Sequence, residues 1–174
     1  MSRRGRWIGA SAGVLLALLV GAVAWWLRHP LEALAWSQRR ALGSAGFERL
    51  ELSDSGSGSD RLIYFAAGDG PPLILLHGLG DQAGTWAQVA PTFVGRYRVI
   101  VPDLPGHGES EPSTGELAMA TIVGGAERLL ERMAGDTEVS ATLVGNSMGA
   151  WVATILAHRH PEQGPGTAGS GYPA

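Results

Sequence analysis

Three short apolar runs constrain this chain more than anything else in it: Leu73-Ile74-Leu75-Leu76, Val99-Ile100-Val101, and residues 139–144 ending in Leu143-Val144. The first two carry no polar residue, as expected of strands covered on both faces, and the third, with Ser140 and Thr142 in it, reads as the next strand. Between them lie stretches of helical spacing, at 85–94 and at 116–134, where Leu117, Ile122, Leu129, Leu130 and Met133 share a face although Gly124-Gly125 weakens the middle. Another helix is expected at 148–158. Strands alternating with helices predict an α/β fold with a mostly parallel sheet and right-handed crossovers. Two earlier segments, 47–52 with alternating apolar and charged residues and 61–67, read as strands around a Ser/Gly/Asp loop at 53–60.

The N-terminus has a different character. Residues 7–27, WIGASAGVLLALLVGAVAWWL, carry no charge and as a helix would rise about 30 Å, enough to cross a bilayer's hydrocarbon core. Arg3, Arg4 and Arg6 precede the run, and Trp7, Trp25 and Trp26 sit at its ends, which predicts a single-pass anchor with a cytoplasmic N-terminus and an extracytoplasmic globular part. Ala22-Val23-Ala24 also resembles a signal-peptide cleavage site, in which case the protein is secreted or periplasmic; the length of the run favours the uncleaved anchor. A juxtamembrane helix is expected over 31–42, ended by Gly43 and Gly46. The organisation is therefore 1–28 anchor, 29–59 juxtamembrane helix with first strand and loop, 60–162 partial α/β domain, and 163–174 a Gly/Pro-rich tail.

Composition excludes several classes of function. A net charge of −3 gives no reason to expect nucleic acid. There is no cysteine, so disulfides and thiolate metal sites are ruled out. With 26 glycines, short glycine motifs arise by composition. Gly9-Ala10-Ser11-Ala12-Gly13 and Gly164-Pro165-Gly166-Thr167-Ala168-Gly169 match known patterns in the wrong context, and neither is assigned a role.

Gly145-Asn146-Ser147-Met148-Gly149 differs, because a strand precedes it and a helix is predicted to open at Met148. Such a corner is too tight for side chains at its flanks, and it holds the serine exposed and strained. The helix N-terminus behind it favours developing negative charge. His77-Gly78-Leu79-Gly80 leaves the 73–76 strand where a second amide donor would be needed, so the N–H groups of Leu79 and Met148 form the expected oxyanion pair. His77 is expected to hold that loop, and Asp103 and His107 in Pro102-Asp103-Leu104-Pro105-Gly106-His107-Gly108-Glu109-Ser110 to be turn and packing residues.

These three motifs in this order resemble the α/β-hydrolase superfamily over about residues 60–160. Trp36-Ser37-Gln38-Arg39-Arg40-Ala41-Leu42-Gly43 after the apolar run is similar to membrane-anchored monoacylglycerol-lipase-like serine hydrolases, and the elbow also resembles that of carbon–carbon-bond hydrolases acting on ring-fission products. The resemblance implies Ser147 as nucleophile, a small-molecule or lipid ester as substrate, and no metal or organic cofactor. Dehalogenases and epoxide hydrolases, which place aspartate at the elbow, fit less well.

A serine nucleophile needs a base and an orienting carboxylate, which this fold supplies after the nucleophile. Here only His158, His160 and Glu162 come after Ser147, and the histidines lie at least two turns along the elbow helix. The expectation is an N-terminal half of the fold, truncated or frameshifted near Gln163 and inactive alone, with an unpaired sheet edge beside the nucleophile strand that invites aggregation. The tail is expected to form no further strand. A one-nucleotide shift there is compatible with an apolar strand. A catalytically dead binding module is the alternative of another class.

Overall fold

The computed structural model describes residues 3–53, 60–134, 141–161 and 167–170, with side chains described from Gly13 onward except at 134 and 167–170. Two compact units divide the chain, Met1–Ser37 and Gln38–Ala174.

The first unit holds helix α1 (Arg3–Arg28) and the opening turns of α2 (Pro30–Ser44). The predicted apolar run is helical throughout, and a helix covers the expected 31–42 segment as part of α2. From Val14 to Leu27 the large apolar side chains of α1 are exposed. Among the described residues no single helix is long and apolar enough to cross a membrane; Gly13–Arg28 and Pro30–Ser44 meet that test together, bent by 104°.

The second unit is built on strands β1 (Glu48–Leu52), β2 (Leu62–Ala67), β3 (Pro72–Leu76), β4 (Arg98–Pro102), β5 (Thr142–Asn146) and β6 (Thr167–Ser170), in sheet order β1-β2-β4-β3-β5-β6. The pairings β4–β3, β3–β5 and β5–β6 are parallel, whereas β2 runs antiparallel to both β1 and β4, so the sheet is mixed. The antiparallel side is a consequence of connection length. Only residues 53–61 join β1 to β2 and only 68–71 join β2 to β3, both too few for a parallel crossover.

Side-chain alternation divides the core between the two faces of the sheet. Leu62, Tyr64, Ile74, Leu76 and Ile100 join Ile122, Leu129, Val152 and Leu156 from helices α3 (Met119–Ala134) and α4 (Met148–Arg159) on one face. Ile63, Phe65, Leu73, Leu75, Val99 and Val101 pack with Leu42, Phe47, Ala83 and Ala90 on the other. Both faces are covered, which is why β3 and β4 read as unbroken apolar runs.

Three expectations change. The helical stretch at 85–94 is two 3₁₀ turns, Ala83–Gln88 and Ala90–Phe93; Pro91 lies at the start of the second, and Val89 links them, its N–H donating to Trp86 O at 2.9 Å and its carbonyl accepting from Thr92 N–H at 3.0 Å. Helix α3 runs through Gly124-Gly125 because Gly125 sits against Pro105, where a Cβ would collide with the proline ring. The third change concerns the tail. Thr167–Ser170 forms a strand beside β5, so β5 does not end the sheet. Backbone pairing asks little of side chains, and the edge of β5 offers a full row of N–H and C=O groups to a segment of small residues. The remaining tail positions, 163–166 and 171–174, lie outside the described residues, as do Glu162 and 139–140 of the expected strand before Ser147.

Candidate functional site

At the end of β5 the chain turns into α4 through a single residue. Ser147 has φ 53° and ψ −116°, and is the only non-glycine residue with positive φ among those described. Such a conformation costs about 1–3 kcal/mol and persists only when its surroundings over-determine it. They do so here. A Cβ at Gly145 would overlap the backbone of Gly149 and Ala150, and one at Gly149 would overlap the carbonyls of Leu76 and His77. Strand and helix therefore approach as closely as backbones can.

Ser147 is exposed, and its hydroxyl makes no capping bond to its own helix. The Ser147 carbonyl instead accepts from Ala150 N–H at 3.0 Å and Trp151 N–H at 3.2 Å, which starts the helix. Met148, the first helical residue, has an N–H with no intrahelical acceptor, at the positive end of the α4 dipole.

The loop after β3 abuts this corner. A Cβ built at Gly78 would lie 3.5 Å from both Asn146 O and Ser147 Cβ. Leu79 comes next with its side chain 75% exposed, Gly80 takes φ 73°, and Asp81 N–H closes the turn on Gly78 O at 3.3 Å.

His77 is wholly buried beneath that loop. Its Nε2 accepts the Leu104 N–H at 2.9 Å, which leaves Nδ1 as the donor to Gly78 O at 2.8 Å. Burial, the largest influence, holds its pKa below the ordinary histidine range, with the neighbouring His107 adding to the effect and the Gly78 carbonyl opposing it. A neutral imidazole thus pins the 78–80 loop to the 103–110 loop. His107 is also buried, places Nδ1 3.0 Å from Pro105 O and meets His77 edge-on at 5.2 Å.

Asp103, fully buried, organises the second loop. Its carboxylate accepts Ala83 N–H at 2.7 Å and Glu109 N–H at 2.9 Å, with the Arg39 guanidinium 3.7 Å away. Ser110 completes the knot: its Oγ donates to Asp103 O at 2.6 Å and accepts Ile63 N–H at 2.8 Å. Gly108 sits where a Cβ would overlap the Asp103 carboxyl group. Asp103 and His107 are turn and packing residues, as the sequence predicts.

What sequence reading missed is the part played by α2. Gln38 Oε1 accepts from Gln82 Nε2 at 2.8 Å, while Gln82 Oε1 caps the first 3₁₀ turn through Gly84 N–H at 2.8 Å. A Cβ at Gly84 would crowd Gln38 Cβ and Arg39 N, so that glycine was the one available signal.

No acid–base partner reaches Ser147 among the described residues. His160 places Nε2 2.8 Å from Glu127 Oε1, and Arg159 donates to the same carboxylate at 3.0 Å, so this end of α4 is tied to α3. His158 is exposed, farther along the helix. No group of three metal-ligating side chains occurs among the described residues either. The site as it stands presents a strained hydroxyl and two adjacent amide-bearing turns.

Comparison with known proteins places this geometry. A family model for the alpha/beta hydrolase fold matches residues 71–163. The pimeloyl-[acyl-carrier protein] methyl ester esterase of Aeromonas hydrophila is 40% identical over 96 residues, 55% of this chain and 35% of the esterase. Protein phosphatase methylesterase 1 of Bos taurus is 34% identical over 133 residues, 75% of this chain and 34% of that protein. Among solved structures, a bacterial membrane phospholipase A superposes with a TM-score of 0.64 at 28% identity, covering 92% of this chain and 51% of the phospholipase. The chain spans about a third of the length of the curated relatives it matches.

Proposed function

The chain belongs to the α/β-hydrolase fold family, and from that premise we propose that it carries the nucleophile half of a serine hydrolase acting on carboxylic esters or acylglycerols. The observation that carries this reading is the backbone of Ser147, strained, exposed and flanked by glycines that nothing larger could replace. A fold that only needed a helix cap would have no use for that strain.

In this reading Ser147 Oγ attacks the ester carbonyl carbon, and the carbonyl oxygen takes up negative charge between the Leu79 and Met148 N–H groups, with the α4 dipole reinforcing the second. His77, Gly78, Gly145, Asn146 and Gly149 hold the two turns together. The described residues bring no proton acceptor to Ser147, so the reading expects slow reaction from them alone. Two methyl-ester hydrolases among the relatives support ester chemistry over carbon–carbon cleavage, and serine rather than aspartate at the elbow speaks against dehalogenase or epoxide-hydrolase chemistry. Helix α1 is proposed as an N-terminal membrane anchor with the catalytic part outside the cytoplasm, a reading supported by its uncharged length and by the likeness to a membrane phospholipase.

A fluorophosphonate probe tests the nucleophile. An oxyanion site without its base retains roughly 10³–10⁴-fold of catalysis over water. Slow labelling is therefore expected at Ser147, faster when imidazole is supplied as an external base and abolished by Ser147→Ala. Labelling that ignores imidazole, or that survives Ser147→Ala, rejects the assignment. A binding module without chemistry would show no labelling at all.

A further inference from the structure

Helix α1 ends where Pro30 opens α2, and the proline forces the chain to change direction. It has no N–H to give the Trp26 carbonyl, and its ring crowds that carbonyl, so the helix cannot run on straight. The two axes bend by 104°. The corner is braced rather than loose: His29 N–H donates to Trp25 O at 3.0 Å, and His29 O accepts from Ala33 N–H at 2.9 Å. The Trp25 ring stacks on the His29 imidazole at 5.3 Å, and His29 Nδ1 lies 3.3 Å from Glu32.

Inside the bend is a notch of about 530 Å³ lined by Trp25, Trp26, Pro30, Ala33, Leu34 and Trp36. Its lining is mostly apolar and open, with Leu34 53% and Trp36 62% exposed.

We propose that this corner seats on the interfacial zone of a phospholipid bilayer, with the first turns of α2 lying along the surface and a lipid acyl chain filling the notch. The inference rests on the anchoring role proposed for α1. The notch is continuous with the apolar surface of α1, so the medium that covers one reaches the other. A bend close to a right angle lays α2 in the membrane plane when α1 stands along the normal. Tryptophan, with an apolar body and one N–H, concentrates at that depth. The Trp26 carbonyl, deprived of its helical donor by Pro30, needs water, which the headgroup layer holds and the hydrocarbon core does not. Arg28, exposed at the end of α1, stands at the same level to meet lipid phosphate.

Depth-dependent quenching tests this on the full chain in phosphatidylcholine–phosphatidylglycerol vesicles. Variants keep one of Trp25, Trp26 and Trp36, with every other tryptophan changed to phenylalanine. All three are expected to emit to the blue of water-exposed indole. Each should lose more fluorescence to lipid brominated near the headgroup than to lipid brominated near the chain end. Quenching of Trp25 and Trp26 with a water-like, unquenched Trp36 overturns the inference and leaves the anchor standing. A Trp36 shielded from both lipids and from aqueous iodide, with copies that cross-link, means a second chain fills the notch and also overturns it. If none of the three is quenched, the anchoring reading itself fails.

Discussion

The two units use the same residues to opposite ends. In Met1–Ser37, Leu15, Leu16, Leu18 and Leu19 of α1 stay 62–67% exposed, whereas in Gln38–Ala174 Leu42, Leu75, Leu104 and Leu129 have no exposure. Apolar content is therefore no measure of a core. Burial on both faces of a sheet requires alternation into two sets of partners, while a helix apolar all round finds none within its own unit. The same contrast holds for glycine. A Cβ at Gly13 or Gly21 of α1 meets nothing within 4 Å, but at Gly145 and Gly149 it meets backbone.

The largest expected effect comes from breaking that second contrast. Gly149→Val drives a branched side chain into the Leu76 and His77 carbonyls, and neither backbone can retreat without unpairing β3. A loss of about 4 kcal/mol or more is expected, enough to abolish a cooperative urea transition. Gly21→Val should leave that transition where it was. Equal effects from the two would show that the elbow is not close-packed.

Asp103→Ala comes next. It leaves the buried amide of Ala83 and the part-buried amide of Glu109 without their acceptor and removes the nearer of the two carboxylates beside Arg39, a loss of about 2–4 kcal/mol in urea melts. Asp103→Asn keeps one acceptor oxygen and should recover part of it.

Much of this was legible in the sequence. The apolar runs at 73–76 and 99–101 gave β3 and β4 because both faces are buried there, and the glycines around Ser147 gave the elbow because no other residue fits. Antiparallel β2 was not legible, since strand direction depends on loop length and partner rather than on the strand's own pattern. Nor was β6: Thr167–Ser170 has no apolar signal, and its pairing comes from what β5 offers. The Gln38–Gln82 bond joins residues 44 apart in the chain, and no local periodicity announces such a contact.

A smaller effect separates the two loops by pH. Burial holds the His77 imidazole below the ordinary histidine range. In the unfolded chain that ring takes a proton near pH 6.5, and in the folded chain only at lower pH, so between those values the unfolded state binds more protons. The stability this contributes is present above about pH 6.5 and is lost as the pH falls, by about 1.4 kcal/mol per pH unit while only the unfolded form titrates. Urea midpoints of the wild type should therefore drop from pH 7 to pH 5 more steeply than those of His77→Gln. Parallel curves would assign the slope to other groups.

The smallest expected effect is the most telling for the comparison between units. Leu19→Ala removes as many atoms as Leu129→Ala, yet Leu19 is 63% exposed and Leu129 is fully buried. In detergent-free buffer the α1 change should move the urea midpoint of the sheet by no more than about 0.5 kcal/mol, against about 2–5 kcal/mol for the α3 change. Bound to vesicles, the order of sensitivity shifts: Leu19→Ala then removes area from contact with hydrocarbon and should lower the fraction of chain that floats with lipid, while Leu129→Ala should not. A Leu19→Ala variant that destabilises the sheet in buffer would mean that α1 packs on protein, and the exposed leucines would need an explanation other than a bilayer.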